Sequence, residues 1–495
     1  MAEKAYLAVD LGASGGRVFA GIFDGQRLRL EPCHRFEHSA TLAGGLLQWD
    51  LLALWRHVTD GLRAARNILG TSIRSVGVDT WGVDFALLGR GDVLLGNPVS
   101  YRDRRTEGVM DRVLNDVGRE AVFNATGVQF MPINTLYQLV AMRQQNSPLL
   151  DVAETFLMMP DVINWLLTGH KCNEFTNATT TQCFDPRAHA WATDLLETLR
   201  VPTHLFAPLV EPGTVLGGMR AEVASETGLH GVNVVAPGTH DTASAVLAVP
   251  TSSNSRRPDW CYISSGTWSL MGVELPEPVI SDPCLRLNFT NEGGVGNTIR
   301  LLKNITGLWL VQECRRVWEQ AGRKYTWETL SGMVAEAEPL TAFVAPDAPQ
   351  FQAPCDMPEV VRAFCKSTNQ RVPSDDAAVT RVCLDSLALR CRYVLGALEE
   401  LIGNRLDTVH IVGGGTQNRL LCQATADACQ RPVQAGPVEA TVIGNVLVQA
   451  IADGELASIA EARELVRRSF PVESYEPRDA HRWNDAFSRF NELYS

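Results

Sequence analysis

Two stretches of the chain share one pattern of apolar and polar positions. An apolar run from Tyr6 to Val9 ends at Asp10, crosses a turn of small residues from Gly12 to Gly16, and resumes as Arg17 to Phe23 before a second turn at Asp24-Gly25. Past the midpoint, Trp260 to Ile263 leads into Ser264-Ser265-Gly266-Thr267 and then into Trp268 to Val273. The β-branched and aromatic residues after each turn predict strand, turn, strand. A dinucleotide-binding fingerprint needs its glycines to open a helix, so that reading becomes a minor one. Two hairpins whose small-residue turns offer free backbone N–H groups predict a duplicated α/β unit that clamps a polyphosphate between its turns.

Elsewhere strands alternate with helices. Ser75 to Val78 precedes DTWGVDF, Val232 to Ala236 precedes PGTHDTASAV, and Thr408 to Val412 precedes GGGTQNRLLCQATADAC. Each is a strand ending in a loop of polar and small residues, and in α/β sheets ligands collect at such strand ends. The stripe Val379, Val382, Cys383, Leu387, Cys391, Val394, Leu395 and Leu398 steps by three and four, which predicts an amphipathic helix. Next to the helical run Thr242 to Val249, the polar segment TSSNSRRPD at 251–259 has linker composition, so the expected domains are 1–250 and 251–495.

Composition narrows the classes. A chain of 495 residues exceeds the roughly 250 to 300 at which a single core stops growing, and two domains are expected. Forty-four basic against 56 acidic residues leave a net charge of -12, the wrong sign for tracking nucleic acid or an anionic membrane. Asp10 interrupts the N-terminal apolar run and nowhere do about 18 apolar residues follow one another, so a cytoplasmic protein is expected. No two of the 12 cysteines stand in a C-x-x-C pair, and reduced thiols are expected, with a Cys365–Cys383 contact conceivable. Of the five lysines only Lys366 precedes a Ser, and Cys365 stands where a Walker loop needs Gly, which excludes that loop.

Several constellations carry chemistry, each with a structural alternative. Asp10, at a strand end before a glycine turn, suits Mg²⁺ held through water beside a phosphate, or an Asx turn. Asp241 suits either a helix N-cap, a role Thr242 could also fill, or a base that takes a proton from a substrate hydroxyl. Asp79-Thr80-Trp81-Gly82-Val83-Asp84 and Tyr101-Arg102-Asp103-Arg104-Arg105 combine an apolar platform with forked polar groups, as polyol binding requires, although an exposed charged turn explains the second as well. Gly413-Gly414-Gly415 makes room for a planar base at a helix start capped by Asn418, or is a tight turn.

Taken in order, VDLGASGGR at 9–17, DTWGVDF at 79–85, THDTASAV at 239–246, SSGTWSLMG at 264–272, NEGG at 291–294, LLKNITGLWLVQE at 301–313, HIVGGGTQN at 410–418 and AGPVEATVIGN at 435–445 resemble the FGGY family of ATP-dependent sugar kinases, in its L-rhamnulose branch. The resemblance implies two actin-like ATPase (ribonuclease H-like) domains with the active site in the cleft between them. It implies transfer from ATP to L-rhamnulose with Mg²⁺, giving L-rhamnulose 1-phosphate directly, with no phosphoenzyme and no obligate protein partner. L-fuculose or another ketose is the alternative substrate, and an actin-like conformational ATPase a more distant one. By resemblance, Ala13, Ser14, Gly15, Gly16, Arg17 and Thr267 hold the ATP phosphates, while Gln312 and Gly414 border the adenosine. Asp241 is the base, and Trp81, Gly82, His240, Asp241, Thr242 and Asn304 meet the ketose. The segment MPINTLYQL at 131–139 departs from the family, with Thr135 and Gln138 where Lys and Trp are usual.

Overall fold

In the computed structural model, residues 3–70, 72–253 and 257–494 are described. The chain groups into two compact units. The first comprises Met1–Ser252, Glu274–Leu301 and Ala440–Ser469; the second comprises Ser253–Val273, Leu302–Glu439 and Phe470–Ser495. The expected linker at 251–259 includes 254–256, which lie outside the described residues. No helix among the described residues is long and apolar enough to cross a membrane.

The first unit opens with β1 (Lys4–Gly12), β2 (Gly15–Phe23) and β3 (Leu28–Glu37), followed by α1 (Leu51–Leu69) and β4 (Ile73–Thr80). Further on come α2 (Thr135–Gln144), the short α3 (Phe175–Ala178), β5 (Val215–Gly218), β6 (Asn233–Val235) and α4 (Asp241–Leu247). The six strands form one sheet in the order β5-β6-β4-β1-β2-β3. β1 and β2 are the first hairpin, antiparallel with Asp10 opposite Arg17 and Gly12 opposite Gly15, while β4 lies parallel to β1. Nearly every residue of β1 is buried, as expected of a central strand covered on both faces. Leu7, Val9, Leu11, Val76, Val78 and Val234 anchor its core.

The second unit begins with β7 (Trp260–Ser265) and β8 (Trp268–Leu275), the second hairpin. β9 (Thr290–Gly293) and the first residues of β10 (Ile299–Thr306) belong to the first unit. The chain then supplies the second unit with α5 (Trp309–Gln320), α6 (Asp376–Ile402), β11 (Thr408–Val412), α7 (Arg419–Cys429) and β12 (Val433–Ala435). It returns to the first unit as α8 (Ala440–Ala452) and ends in the second after β13 (Glu473–Tyr475). The strands β10-β8-β7-β11-β12-β13 follow in that order. The arrangement of the first sheet therefore recurs: a hairpin, two strands parallel to its first strand, and an antiparallel edge strand. Duplication read from two hairpins in the sequence extends to the whole sheet order. All eight residues of the predicted stripe on α6 are buried.

α8 meets the first sheet through glycines. A Cβ on Gly21 of β2 would stand 2.5 Å from Val446, and one on Gly77 of β4 would stand 2.4 Å from Asn445. A Cβ on Gly444 would reach within 1.8 Å of the Ser244 carbonyl oxygen of α4. Glycine is required at these three positions by close approach.

Candidate active site

Three carboxylates converge at the strand ends of the first unit. Asp10 and Asp79 are register partners across β1 and β4, and Asp241 is the first residue of α4. Asp10 is paired with Arg17, whose Nε donates to Oδ2 at 2.8 Å. Asp79 is fully buried and receives the Asn445 amide from α8 on Oδ2 at 2.6 Å; its Oδ1 is buried without a hydrogen-bond partner. Burial, with the nearby charges of Asp10 and Asp241, pushes the Asp79 carboxyl well above the usual carboxylate range. Desolvation and the Asp10 charge push Asp241 up as well, against the pull of His240 and of a hydrogen bond from Thr242. The three differ in access. The side chain of Asp10 is 7% exposed and that of Asp241 32%, so Asp241 is the member of the cluster able to touch a ligand.

Asp241 does not cap its helix. The residue preceding α4 is His240, which makes no side-chain cap bond, and Thr242 donates its hydroxyl to Asp241 Oδ1 at 3.0 Å. The loop before α4 is held instead by the buried Glu174 at the start of α3. Its Oε2 accepts the Thr239 hydroxyl at 2.6 Å and the Thr239 N–H at 3.1 Å, together with the Thr176 hydroxyl at 2.6 Å. Thr176 Oγ1 in turn accepts the His240 N–H at 3.1 Å. Asn177 donates to the carbonyls of Trp81 and Thr239, joining this loop to the β4 loop. Glu174 was missed from the sequence, where NEFTN carries no motif; only its complete burial, fully hydrogen-bonded, reveals it.

Trp81 and Gly82 follow β4. Trp81 packs against Trp49 with ring centroids 4.6 Å apart, and both indole N–H groups donate to Asp84 Oδ2, at 3.0 and 2.7 Å. Asp84 also accepts the Tyr101 N–H and the Gln138 amide. It is buried, which pushes its carboxyl up to about 6 against four hydrogen bonds. Asp84 therefore orients two indole faces and, fully buried, is engaged by protein donors rather than presented to a polyol. Gly82 lies against Thr180, whose hydroxyl would be 2.9 Å from any Cβ there. Thr135 and Gln138, the departures noted in the sequence, both donate to the Val83 carbonyl, and Gln138 accepts from Arg105 at 2.7 Å. The charged turn at 101–105 is thus built inward on one side: Arg105 reaches Gln138, and Asp103 accepts the N–H groups of Leu47 and Arg105, whereas Arg104 is exposed.

His38 Nε2 lies 2.8 Å from the Gly12 carbonyl, at the base of the hairpin turn that carries Ala13, Ser14, Gly15 and Gly16. No cluster of three or more His, Cys, Asp or Glu side chains suited to hold a metal is present among the described residues. Cys365 and Cys383 are free, buried thiols.

In the second unit the remaining candidates gather around the end of β7. The turn bearing Thr267 is fixed by the start of α5, where Leu308 and Trp309 donate to the carbonyls of Gly266 and Thr267. Gln312 follows on the first turn of α5. Gly413 and Gly415 pack on Ser265, with a Cβ on Gly415 only 2.0 Å from its hydroxyl oxygen, while the space around Gly414 is open. Asn418 caps α7 by accepting the Leu421 N–H. Asn304 lies on β10 in this unit.

Comparison with known proteins agrees along the whole chain. The N-terminal domain of the FGGY family of carbohydrate kinases matches residues 5–248 and its C-terminal domain residues 261–452. The rhamnulokinase of Bacteroides thetaiotaomicron is 41% identical over 488 residues, covering 99% of each chain. That of Pectobacterium atrosepticum is 42% identical, covering 100% of this chain and 97% of its own. Among solved structures, a gluconate kinase from Lactobacillus acidophilus superimposes with a TM-score of 0.81 at 14% identity, covering 99% and 98% of the two chains. A xylulose kinase from Rhodospirillum rubrum gives 0.79 at 20% identity over 100% and 98%. With both of its family domains matched and curated relatives identical at two positions in five from end to end, the chain belongs to the FGGY family of carbohydrate kinases.

Proposed function

We propose that the chain phosphorylates L-rhamnulose at its 1-hydroxyl, with ATP as donor and Asp241 as general base, in the cytoplasm. One observation carries the base assignment: of the three converging carboxylates, Asp241 alone combines substantial exposure with a carboxyl pushed upward, which strengthens it as a proton acceptor. As the ketose oxygen attacks the γ-phosphorus, Asp241 takes the hydroxyl proton, the bond to the bridging oxygen breaks, and ADP leaves. The proposed division of labour follows the two halves of the chain. Residues 1–250 supply the hairpin turn at Ala13 to Arg17 for phosphate and Trp81, Gly82, His240 and Thr242 for the sugar. Residues 251–495 supply Thr267, Gln312 and Gly414 for the nucleotide and Asn304 for the ketose. Trp81 offers a ring face rather than its N–H, which Asp84 occupies.

We assign a divalent cation to Asp10 alone rather than to the carboxylate cluster, since the described residues hold no group of three ligands suited to a metal, and Asp10 lies at the end of β1 beside the hairpin turn, paired with Arg17. Asp10 would hold Mg²⁺ through water, and the ion would supply charge neutralisation for the phosphates.

The test pairs a substrate panel with one substitution. L-Rhamnulose should be phosphorylated with a higher kcat/KM than L-fuculose or L-xylulose; the reverse order, or sugar-independent ATP turnover at the full rate, would overturn the substrate assignment. Asp241→Asn keeps the shape, should fold normally, and should lower kcat by at least about a hundredfold, the lower range for loss of a general base. A folded variant retaining a third of the wild-type kcat would remove Asp241 from the role.

A further inference from the structure

His240 stands between Asp241 and a buried ion pair formed by Glu292, of the NEGG segment, and Arg300. Arg300, on β10, is fully buried, and its Nη2 lies 3.0 Å from His240 Nδ1 and 3.3 Å from Glu292 Oε2. Its Nε donates to the Gly293 carbonyl at 2.8 Å, which fixes the guanidinium plane. Glu292 Oε2 is itself 3.4 Å from His240 Nδ1, and His240 Nε2 is 3.5 Å from Asp241 Oδ1. The imidazole thus has three conceivable proton arrangements. A proton on Nδ1 alone could be given to Glu292, but it would point at the closer guanidinium, a group that only donates. The imidazolium would likewise aim its Nδ1–H at Arg300 Nη2, 3.0 Å away, which cannot accept it. With the proton on Nε2, Nδ1 accepts from Arg300 and Nε2–H faces Asp241, which leaves Arg300 Nη1 as the one group of this cluster without a hydrogen-bond partner.

We propose that Arg300 is a positioning residue that fixes neutral His240 in its Nε2–H tautomer, so that the imidazole steadies Asp241 Oδ1 and leaves Oδ2 to accept the substrate proton. The proposal rests on the reading of Asp241 as base and adds the group that orients it. Arg300 is far from Asp241 in sequence and touches it only through His240; in histidines generally the hydrogen bond made at one ring nitrogen decides which nitrogen carries the proton.

The wild-type enzyme decides the tautomer directly. With ¹⁵N-labelled histidine, and His240→Gln to assign the signal among ten histidines, His240 should show a protonated Nε2 and a bare Nδ1 near neutral pH. A protonated Nδ1 overturns the proposal whatever the role of Asp241. Arg300→Met should release Nδ1 to carry a proton toward Glu292 and lower kcat by about ten- to a hundredfold, the range known for partners that orient metal-bound histidines, with KM for ATP unchanged. Arg300→Lys, which keeps a charged donor, should retain the wild-type tautomer and recover most of kcat. A folded Arg300→Met enzyme with wild-type kcat overturns the positioning role. A normal kcat in Asp241→Asn, with the Nε2–H signal intact, would instead fault the base assignment alone.

Discussion

Asp84 shows how a single buried carboxyl sets the shape of a site without touching a ligand. Its two oxygens take the N–H groups of Trp49, Trp81, Tyr101 and Gln138, so both indole planes depend on it. Burial raises its carboxyl to about 6 from 3.8, so the folded protein binds this proton more tightly than the unfolded chain does. Stability from this group is therefore fully present below about pH 4 and is lost as the pH rises through about 6. The stability advantage of wild type over Asp84→Asn should shrink by about 3 kcal/mol across that interval, as read from chemical unfolding at each pH. A difference that does not vary with pH would show that Asp84 is not desolvated in solution. The same residue marks a limit of sequence reading. Asp79 and Asp84 flank Trp81 alike in the sequence and suggest polyol chemistry equally, yet one faces two other carboxylates and the other is buried against four protein donors. Spacing cannot tell them apart, because burial is decided by Trp49 and Gln138 from distant segments.

Helices α4 and α8 meet where Gly444 lies on the Ser244 carbonyl, and this contact places Asp241. Gly444→Ala drives a methyl into backbone and should cost about 3 kcal/mol or more, at the upper end for overpacking, while lowering kcat because the start of α4 must move. Gly396 on α6 is the counterpart: a Cβ there meets nothing within 4 Å, so Gly396→Ala should stabilise by up to about 1 kcal/mol from helix propensity alone. Thermal unfolding of the two variants checks the opposite signs, and equal effects would refute the close contact. The elements themselves were largely legible. The stripe of α6 has local helical spacing, and both hairpins announce themselves by β-branched residues around small turns. The role of α8 was not: Asn445 and Gln449 interrupt an apolar helix one turn apart, but their partners, Asp79, Ser75 and the Leu7 carbonyl, lie more than 360 residues away. What holds the loop before Asp241 escaped the sequence for the same reason: Glu174 and Arg300 sit in segments with no pattern of their own, and NEGG at 291–294 does not reveal that Glu292 faces His240.

At the scale of the whole molecule, the first unit is assembled from three stretches of chain. Residues 1–252 contain β1 to β6 and all three carboxylates, but not α8, which covers Gly21 and Gly77. They also lack Arg463, which binds the Val246 and Leu247 carbonyls at the end of α4 and pairs with Glu274. A fragment of residues 1–252 should therefore melt without a cooperative transition, its β1 and β4 amides exchanging quickly with solvent. Native-like protection of those amides in the fragment would show that the later stretches are dispensable. The arrangement also bears on how the protein is made. After Ser252 leaves the ribosome, 469 minus 252, or 217, further residues must follow before the first unit has all its parts. At about 5 to 20 residues per second, that is roughly 10 to 40 s. Through this interval the apolar face awaiting α8 stays uncovered and Asp79 lacks the Asn445 amide. That uncovered face is where a chaperone would have to stand guard.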